Sequence, residues 1–144
     1  MKGVILLKKI IFLVLFILVF TTCMFPLSLG VEAKQVTPMW SLMAYGDCSI
    51  AQISSGFVEI TGETQAFSSY DIVKVTLKLQ QYKNSQWNTV QTVTFTEYDS
   101  DYVYGFRQYF VETGYNYRTV ADHYVKEGIT VETTQSYTNG MYID

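Results

Sequence analysis

The chain of 144 residues is poor in cysteine, histidine, proline and charge. It contains two cysteines, one histidine and two prolines, and only 16% of its residues are charged. Two cysteines and one histidine cannot build a closed zinc site without carboxylate ligands. Ten lysines and arginines against thirteen acidic residues exclude the basic footprint that is typical of nucleic-acid-binding proteins. Aromatic residues, in contrast, make up 16% of the chain, which excludes a disordered polymer, and the length allows one globular domain.

The first 33 residues have the features of a secretory signal peptide. Three lysines precede an unbroken apolar run from Ile10 to Phe20, and a looser stretch with small residues follows. A basic start, a short apolar core and small residues before the cleavage site define this class of segment. We expect cleavage after Ala33, at Val31-Glu32-Ala33, with Ser28-Leu29-Gly30 as the second choice, and hence a secreted, extracellular protein.

Two other fates of this segment stay open. An uncleaved segment would anchor the protein in a membrane. The apolar run is too short to span a bilayer, although Val4 to Phe20 with its two lysines comes closer. Lipidation at Cys23 is the second alternative, but Phe20 and Thr22 do not match the leucine and the small residue that a lipoprotein signal places before its cysteine. A cysteine in an apolar segment usually acts as a small hydrophobic residue.

Removal of residues 1–33 leaves Cys48 as the only cysteine, so the mature chain cannot form an internal disulfide. A secreted domain without a disulfide depends on its hydrophobic core, and a chain of this size buries enough surface for one. Pro38 and the absence of periodicity predict an extended arm over 34–46. One domain is expected over 47–144.

Seven segments rich in β-branched and aromatic residues alternate with turn signals, which is typical of an all-β domain. They cover 48–53, 57–61 (or as far as 65), 72–82, 87–98, 102–111, 115–126 and 129–137. Predicted turns lie at 54–56, 68–71, 83–86, 97–101 and 126–128. In the clearest strand, every second side chain is apolar and is expected to face the core: Val73, Val75, Leu77 and Leu79. This spacing predicts a seven-stranded antiparallel β-sandwich.

The stretch from Gly114 to Val120 resembles the entry to the sixth strand of fibronectin type III and related immunoglobulin-like domains. In those domains a tyrosine three residues after a glycine bonds back to the backbone of the preceding corner, the tyrosine corner. Tyr117 stands at the matching position, and Thr119 stands where antibody-type domains have a cysteine. The resemblance implies an immunoglobulin- or fibronectin-III-like sandwich, here after an N-terminal hydrophobic signal helix, without the immunoglobulin disulfide.

Over its whole length the chain also resembles a group of small secreted proteins from Gram-positive bacteria, which carry a signal peptide and one β-sandwich of unknown function. The stretches that carry this resemblance are 73–80, 87–90 and 114–118, and it covers about residues 35–144. It implies export and fold. It implies no activity for any residue.

His123 is the only histidine, so any histidine-dependent chemistry rests on it. In the alternation of its strand it shares the inward phase with Thr119, Ala121 and Val125, near the strand end. Asp122 is adjacent, so it points to the opposite face and cannot orient the imidazole. The chain has no Gly-x-Ser-x-Gly elbow. We expect a strand-end histidine bonded to a neighbouring loop, and no catalytic residue.

Acidic residues provide two weaker candidates. Glu97, Asp99 and Asp101 are spaced by two around a predicted turn and would offer oxygen ligands to Ca²⁺. No glycine lies within the run and no second acidic cluster completes the shell, so calcium binding stays open and no metal or cofactor site is predicted. The paired carboxylates of a glycoside hydrolase are not indicated, because the remaining candidates are scattered: Glu59, Glu63, Glu112 and Glu132. Cys48 is expected to be half-buried and structural, since no helix or second thiol lies nearby to activate it.

The segment 102–111 is apolar or aromatic in both phases of the strand alternation. One phase holds Tyr102, Tyr104, Phe106 and Phe110, and the other holds Val103, Arg107, Tyr109 and Val111. A strand with one solvated face should not be apolar on both. Its outer face is therefore covered by the arm at Met39-Trp40, or it meets a protein or a second copy, or it binds a glycan. Arg107 beside Tyr109 suits stacking on an aromatic or sugar ring.

These features together favour a secreted, non-enzymatic interaction protein, present as a monomer or weak homodimer. The expected partner is an extracellular protein or a cell-wall glycan, with no nucleic acid, and a membrane is involved only through the N-terminal segment. The alternatives are a glycan- or cell-wall-binding module and a small secreted hydrolase.

The signal peptide has a direct test. Protein recovered from culture medium should begin at Lys34, because signal peptidase cuts after the small residue that ends the segment. Intact mass measured on the medium and on the membrane fraction of the same cells gives the comparison. A diacylglycerol adduct on Cys23, or retention of residues 1–33, would contradict cleavage after Ala33.

Overall fold

The computed structural model describes residues 40–144, and all regular secondary structure in this range is β-strand. The strands are β1 (Met43–Ser54), β2 (Phe57–Lys83), β3 (Gln86–Phe110), β4 (Tyr115–Glu127), β5 (Thr130–Tyr137) and β6 (Met141–Ile143). Every pairing between them is antiparallel, so the predicted all-β antiparallel class is confirmed. The predicted signal peptide lies outside the described residues. Within 40–144 there is no helix with the length and apolarity needed to cross a membrane.

The structure has six strands where the sequence predicts seven, because β2 and β3 each combine two predicted strands and β6 was not predicted. Strand β2 has 27 residues and β3 has 25, and the turns predicted at 68–71 and 97–101 are bends inside them. The register of β2 with β3 shifts between Gln65 and Tyr70, and Asp99 opposite this bend has a φ of +48°. Polar residues thus mark a bend here without ending either strand, and the pairing of β2 with β3 resumes at Tyr70.

The bends fold the sheet over, so that its two halves face each other. The first layer consists of β1, residues 57–66 of β2 and residues 102–110 of β3. The second layer consists of residues 70–83 of β2, residues 86–100 of β3, β4, β5 and β6. Hydrogen bonds join the layers: Thr119 Oγ1 in β4 donates to the Ser49 carbonyl in β1 at 2.9 Å. The core lies between the layers.

Alternation along each strand places the core residues as expected. The four predicted side chains from Val73 to Leu79 are fully buried. In the first half of β2 the buried positions are even-numbered, at Val58 and Ile60, whereas in the second half they are odd-numbered. The bend absorbs this change of phase, which allows one strand to contribute its inner face to both layers.

The corner before β4 is a tyrosine corner. Tyr117 is buried, and its hydroxyl donates to the carbonyl of Glu112 at 2.9 Å. Gln81 Nε2 donates to the same hydroxyl at 2.8 Å. Gly114, with a φ of +85°, forms the turn just before the strand. The backbone bond that the resemblance implies for Tyr117 is confirmed.

The structure also differs from the prediction at the first strand. Strand β1 begins at Met43, five residues earlier than predicted, so the end of the predicted arm is strand. Sequence periodicity missed this part because Gly46 interrupts the apolar alternation. The hairpin predicted at 83–86 is confirmed, with Asn84 and Ser85 at φ values of 56° and 61°, as expected for a two-residue turn.

Close approach of the layers depends on three glycines of the first layer. A Cβ at Gly46 would lie 2.6 Å from the ring of His123, one at Gly62 would lie 2.4 Å from Leu77, and one at Gly105 would lie 2.0 Å from the ring of Phe95. The three large side chains come from the second layer. Each glycine therefore leaves the space into which a side chain of the opposite layer inserts.

Gly105→Ala should destabilise the domain by about 3 kcal/mol, because the new methyl group overlaps the Phe95 ring and overpacking forces the layers apart. Urea unfolding measures the change. Gly140→Ala is the matched control: its Cβ would meet Trp87 at 3.1 Å, and a loss below about 1 kcal/mol is expected.

A double-mutant cycle identifies the cause. In a Phe95→Ala background, Gly105→Ala should cost less than about 1 kcal/mol, since the ring that it meets is gone. An unchanged cost in that background would show that the overlap with Phe95 is not the cause.

Candidate functional site

The outer surface of the first layer carries a group of exposed aromatic side chains, which we call the aromatic face. Five large rings on β1 and β3 are between 38% and 84% exposed: Tyr45, Tyr102, Tyr104, Phe106 and Phe110. They point outwards because Val103 and Gly105 take the inward positions of β3. Phe57 of β2 lies against Phe110, with ring centroids 4.5 Å apart.

The described part of the arm does not cover this face. The backbone N–H groups of Ser41, Leu42 and Met43 donate to Glu132 on β5, in the second layer. Trp40 is itself exposed, and Met39 lies outside the described residues. Among residues 40–144 the rings on β3 therefore remain open to solvent, and cover by Met39 lies outside the described residues.

Three carboxylates share the aromatic face. Asp47 of β1 and Glu63 of β2 are directly opposite each other in the register, and Glu59 follows on the same face of β2. The Tyr45 hydroxyl donates to Asp47 Oδ2 at 3.0 Å and the Tyr102 hydroxyl donates to Glu63 Oε2 at 2.5 Å. Neutral hydroxyl groups thus solvate Asp47 and Glu63, the Gln108 amide donates to Glu59 at 2.8 Å, and no outward position of the first layer holds a lysine or arginine.

The carboxylates raise the pKa values of the neighbouring phenols. The hydrogen bond to Glu63, with some burial and the charge of Glu63, raises the pKa of Tyr102 to about 12. The hydrogen bond to Asp47 likewise raises the pKa of Tyr45. At neutral pH the face therefore offers aromatic rings, hydroxyl groups and negative charge side by side.

Arg107 lies beside the aromatic face, at the edge of the fold. Its guanidinium is 5.9 Å from the centre of the Phe95 ring, so it stacks on a residue of its own chain. Strand β3 pairs only with β2, which leaves one edge of β3 without a neighbour within the described chain. A charge at an inward position of such an edge disfavours the addition of another strand.

His123 is enclosed in the core. The side chain is 1% exposed, its Nδ1 lies 2.8 Å from Thr64 Oγ1 and its Nε2 lies 2.8 Å from Ser136 Oγ. Burial lowers the pKa of the imidazole. The predicted inward orientation of His123 is confirmed. The residue lies within β4 and not at its end, and its ring bonds to side chains of strands β2 and β5 and not to a loop. Among residues 40–144 no carboxylate bonds to the ring, and Asp122 points outwards and pairs with Lys78.

The other candidates are distributed over the fold. Glu97, Asp99 and Asp101 are exposed around the bend of β3, and the described chain holds no group of three His, Cys, Asp or Glu side chains that could bind a metal ion. Cys48 is half-buried, as predicted, and burial raises the pKa of its thiol. Sequence reasoning did not find the pairing of Asp47 with Glu63, because it depends on the register of β1 on β2.

Glu132 fastens the start of β1 to β5. Its Oε1 accepts from the backbone N–H and the hydroxyl of Ser41 at 2.6 and 2.7 Å, and its Oε2 accepts from the N–H groups of Leu42 and Met43, both at 2.9 Å. Desolvation raises the pKa of the carboxyl, but the hydrogen bonds outweigh it and lower the pKa to about 2. Sequence reasoning placed Glu132 only among scattered carboxylates.

Comparisons with known proteins identify solved structures of low similarity to this chain. No family model and no curated protein matches the chain. The solution structure of R. palustris CsgH aligns with 65% of this chain and 90% of its own, at 19% identity and a TM-score of 0.38. The crystal structure of Spo0M, a sporulation control protein from Bacillus subtilis, aligns with 70% of this chain at 10% identity and a TM-score of 0.40. This chain spans about half of that Spo0M chain, and similarities this low carry no functional argument.

Glu132→Gln should lower the free energy of unfolding at neutral pH by about 1–2 kcal/mol, since charge-assisted hydrogen bonds are lost at a partly exposed site. The folded pKa of about 2 lies below the ordinary value of 4.5. The stabilisation is therefore complete above pH 4.5 and is lost as the pH falls towards 2.

Urea unfolding of both proteins over this pH range measures the effect, and the difference between them should shrink as the pH falls. The titration of the buried His123 contributes equally to the free energy of unfolding of both proteins and cancels in the difference. Glu97→Gln, at an exposed carboxylate on β3, is the control. A difference that stays constant down to pH 2 would refute the role of the Glu132 charge.

Proposed function

We propose that the protein is a secreted, non-enzymatic binding module whose partner docks on the aromatic face. The observation that carries this proposal is the row of exposed rings at alternate positions of β3, continued by Tyr45 on β1. Contiguous exposed apolar surface is uncommon on soluble proteins and typically marks an interaction site. Secretion is supported by the basic and apolar pattern of residues 1–33.

The composition of the face suits a protein partner. Tyrosine and phenylalanine are enriched in the buried centre of protein interfaces, and large rings often supply most of the binding energy. The rings here are carried by paired strands, which hold them in place without a partner. Little ordering is needed on binding, and this lowers its entropic cost.

We also propose the finer relationship to secreted Gram-positive proteins with an immunoglobulin-like sandwich. The bond of Tyr117 to the Glu112 carbonyl and the two facing layers support it. In this interpretation the four predicted strands between 57 and 111 correspond to the halves of β2 and β3.

A glycan- or cell-wall-binding module is the second candidate. Exposed rings next to carboxylates are suited to stacking and to hydrogen bonds with sugar hydroxyls. The rings of Phe57 and Phe110, however, are tilted by 32° and do not form one flat platform. For a small hydrolase the structure provides little support, since His123 is enclosed and lacks a carboxylate partner.

The aromatic face is tested by comparative affinity capture with the protein as it is recovered from the culture medium. Tyr104→Ser/Phe106→Ser removes two exposed rings without touching the core. Thr92→Ser/Thr94→Ser, at exposed positions in the other half of β3, is the control. Mass spectrometry identifies the proteins of the culture medium and cell envelope that each form retains. Proteins retained by the wild type and the control should not be retained by Tyr104→Ser/Phe106→Ser, which we call the ring variant.

Retention of the same proteins by all three forms would contradict a binding role for the face. Sedimentation with purified peptidoglycan is run in parallel. Binding to peptidoglycan that is lost in the ring variant would favour the glycan-binding candidate. Thermal melts of each variant establish that it is folded.

A further inference from the structure

We infer that the partner of the aromatic face is a cationic polypeptide segment, whose lysine or arginine side chains contact the Asp47–Glu63 pair and the tyrosines beside it. This inference rests on the proposed function, because it assigns a chemical class to the partner of the same face. Four features of the described residues carry it: an acidic pair without a cation, flanking rings, the separation of charges between the two layers, and a positive charge at the open edge of β3.

The first feature is a pair of like charges in direct register. Asp47 and Glu63 are opposite neighbours on β1 and β2, and both side chains point to solvent. Like charges directly opposite in a sheet destabilise it. Among the described residues, only the hydroxyl groups of Tyr45 and Tyr102 relieve this repulsion. A bound cation would be attracted to both carboxylates and would offset the repulsion between them.

The second feature is the group of tyrosines that flank this pair. Tyr45 lies in register with Gln65, which pairs with Tyr102 on its other side, and Glu63 pairs with Tyr104. Exposed faces of tyrosine rings attract ammonium and guanidinium groups. The chain itself uses this contact elsewhere, with Lys74 Nζ 4.2 Å from the centre of the Tyr124 ring.

The third feature is the separation of charge between the layers. Two cations of the second layer's outer surface make contacts within the chain: Lys78 pairs with Asp122, and Arg118 donates to Gln80 Oε1 at 2.9 Å with its guanidinium 4.5 Å from the Trp87 ring. The outward positions of the first layer hold carboxylates and no cation. A second copy that offered Lys78 or Arg118 to this face would first have to break these contacts, whereas a separate cationic segment would not.

The fourth feature is the open edge of β3, which is less suitable for a cationic partner than the aromatic face. A strand added there would lie next to Arg107, whose guanidinium stacks on Phe95 at that edge. The positive charge repels a cationic segment and disfavours strand pairing. The partner is therefore expected to lie across the face, from Phe106 towards Asp47, and not to extend the sheet.

The test uses the protein as it is recovered from the culture medium and two synthetic peptides: one of alternating lysine and threonine residues, and one in which glutamine replaces every lysine. Isothermal titration calorimetry measures binding at low and moderate salt. The lysine peptide should bind at least about tenfold more tightly than the glutamine peptide, and added salt should weaken its binding.

Variants locate the binding on the protein. Asp47→Asn/Glu63→Gln should weaken binding of the lysine peptide at least about tenfold, because it removes the paired charges. Glu97→Gln/Asp99→Asn removes the same net charge outside the face and should change binding less than about threefold; asparagine tolerates the positive φ of position 99. Thermal melts show that both variants are folded.

The outcomes separate this inference from the proposed function. Equal binding of both peptides, or equal loss in the two charge variants, would overturn the cationic partner. If Tyr104→Ser/Phe106→Ser still abolished capture of native proteins, the binding role of the face would stand. If it changed neither capture nor peptide binding, both would fail. Sedimentation velocity is the last arm: a concentration-dependent oligomer that Asp47→Asn/Glu63→Gln dissociates would replace the separate partner by a second copy.

Discussion

The insertion of large side chains into glycine positions of the facing layer is the contact on which the rest of the fold depends. Gly62 and Gly105 are direct partners across the β2–β3 ladder, so Leu77 and Phe95 enter neighbouring spaces in the first layer. Interiors are close-packed, and a methyl group is enough to disturb them. The bends of β2 and β3 create two facing layers, and the glycines allow the two halves of each strand to approach this closely.

That contact also determines which side chains reach solvent. Since successive residues of a strand point to opposite faces, an inward Gly105 requires Tyr104 and Phe106 to point outwards, and a slip of one residue would exchange the two sets. The same register brings Asp47 of β1 beside Glu63 of β2. The aromatic face is therefore a consequence of core packing, and its rings and carboxylates are held by strands instead of loops.

Much of the fold could be predicted from the sequence where a local rule applies. Alternation identified the inward residues from Val73 to Leu79, turn residues identified the hairpin at 83–86, and the spacing of Gly114 and Tyr117 identified the corner. Local rules could not show that 68–71 and 97–101 are bends, because polar residues serve a bend and a turn equally well. The unusual segment 102–111 was recognised from its rings, but its acidic neighbours come from strands distant in sequence, and only the register reveals them.

The distribution of stabilising contacts explains how the fold tolerates an unfavourable surface. The hydrogen bonds that connect the start of β1 to β5 come from Glu132, and those that hold His123 come from Thr64 and Ser136, all away from the outer side of the first layer. Exposed charges facing each other cost little in water because solvent screens them. Inside an interface that excludes solvent, the same pair would interact strongly with whatever charge it meets. The arrangement of Asp47 and Glu63 is thus a small penalty in the free protein and a strong selector of the partner's charge.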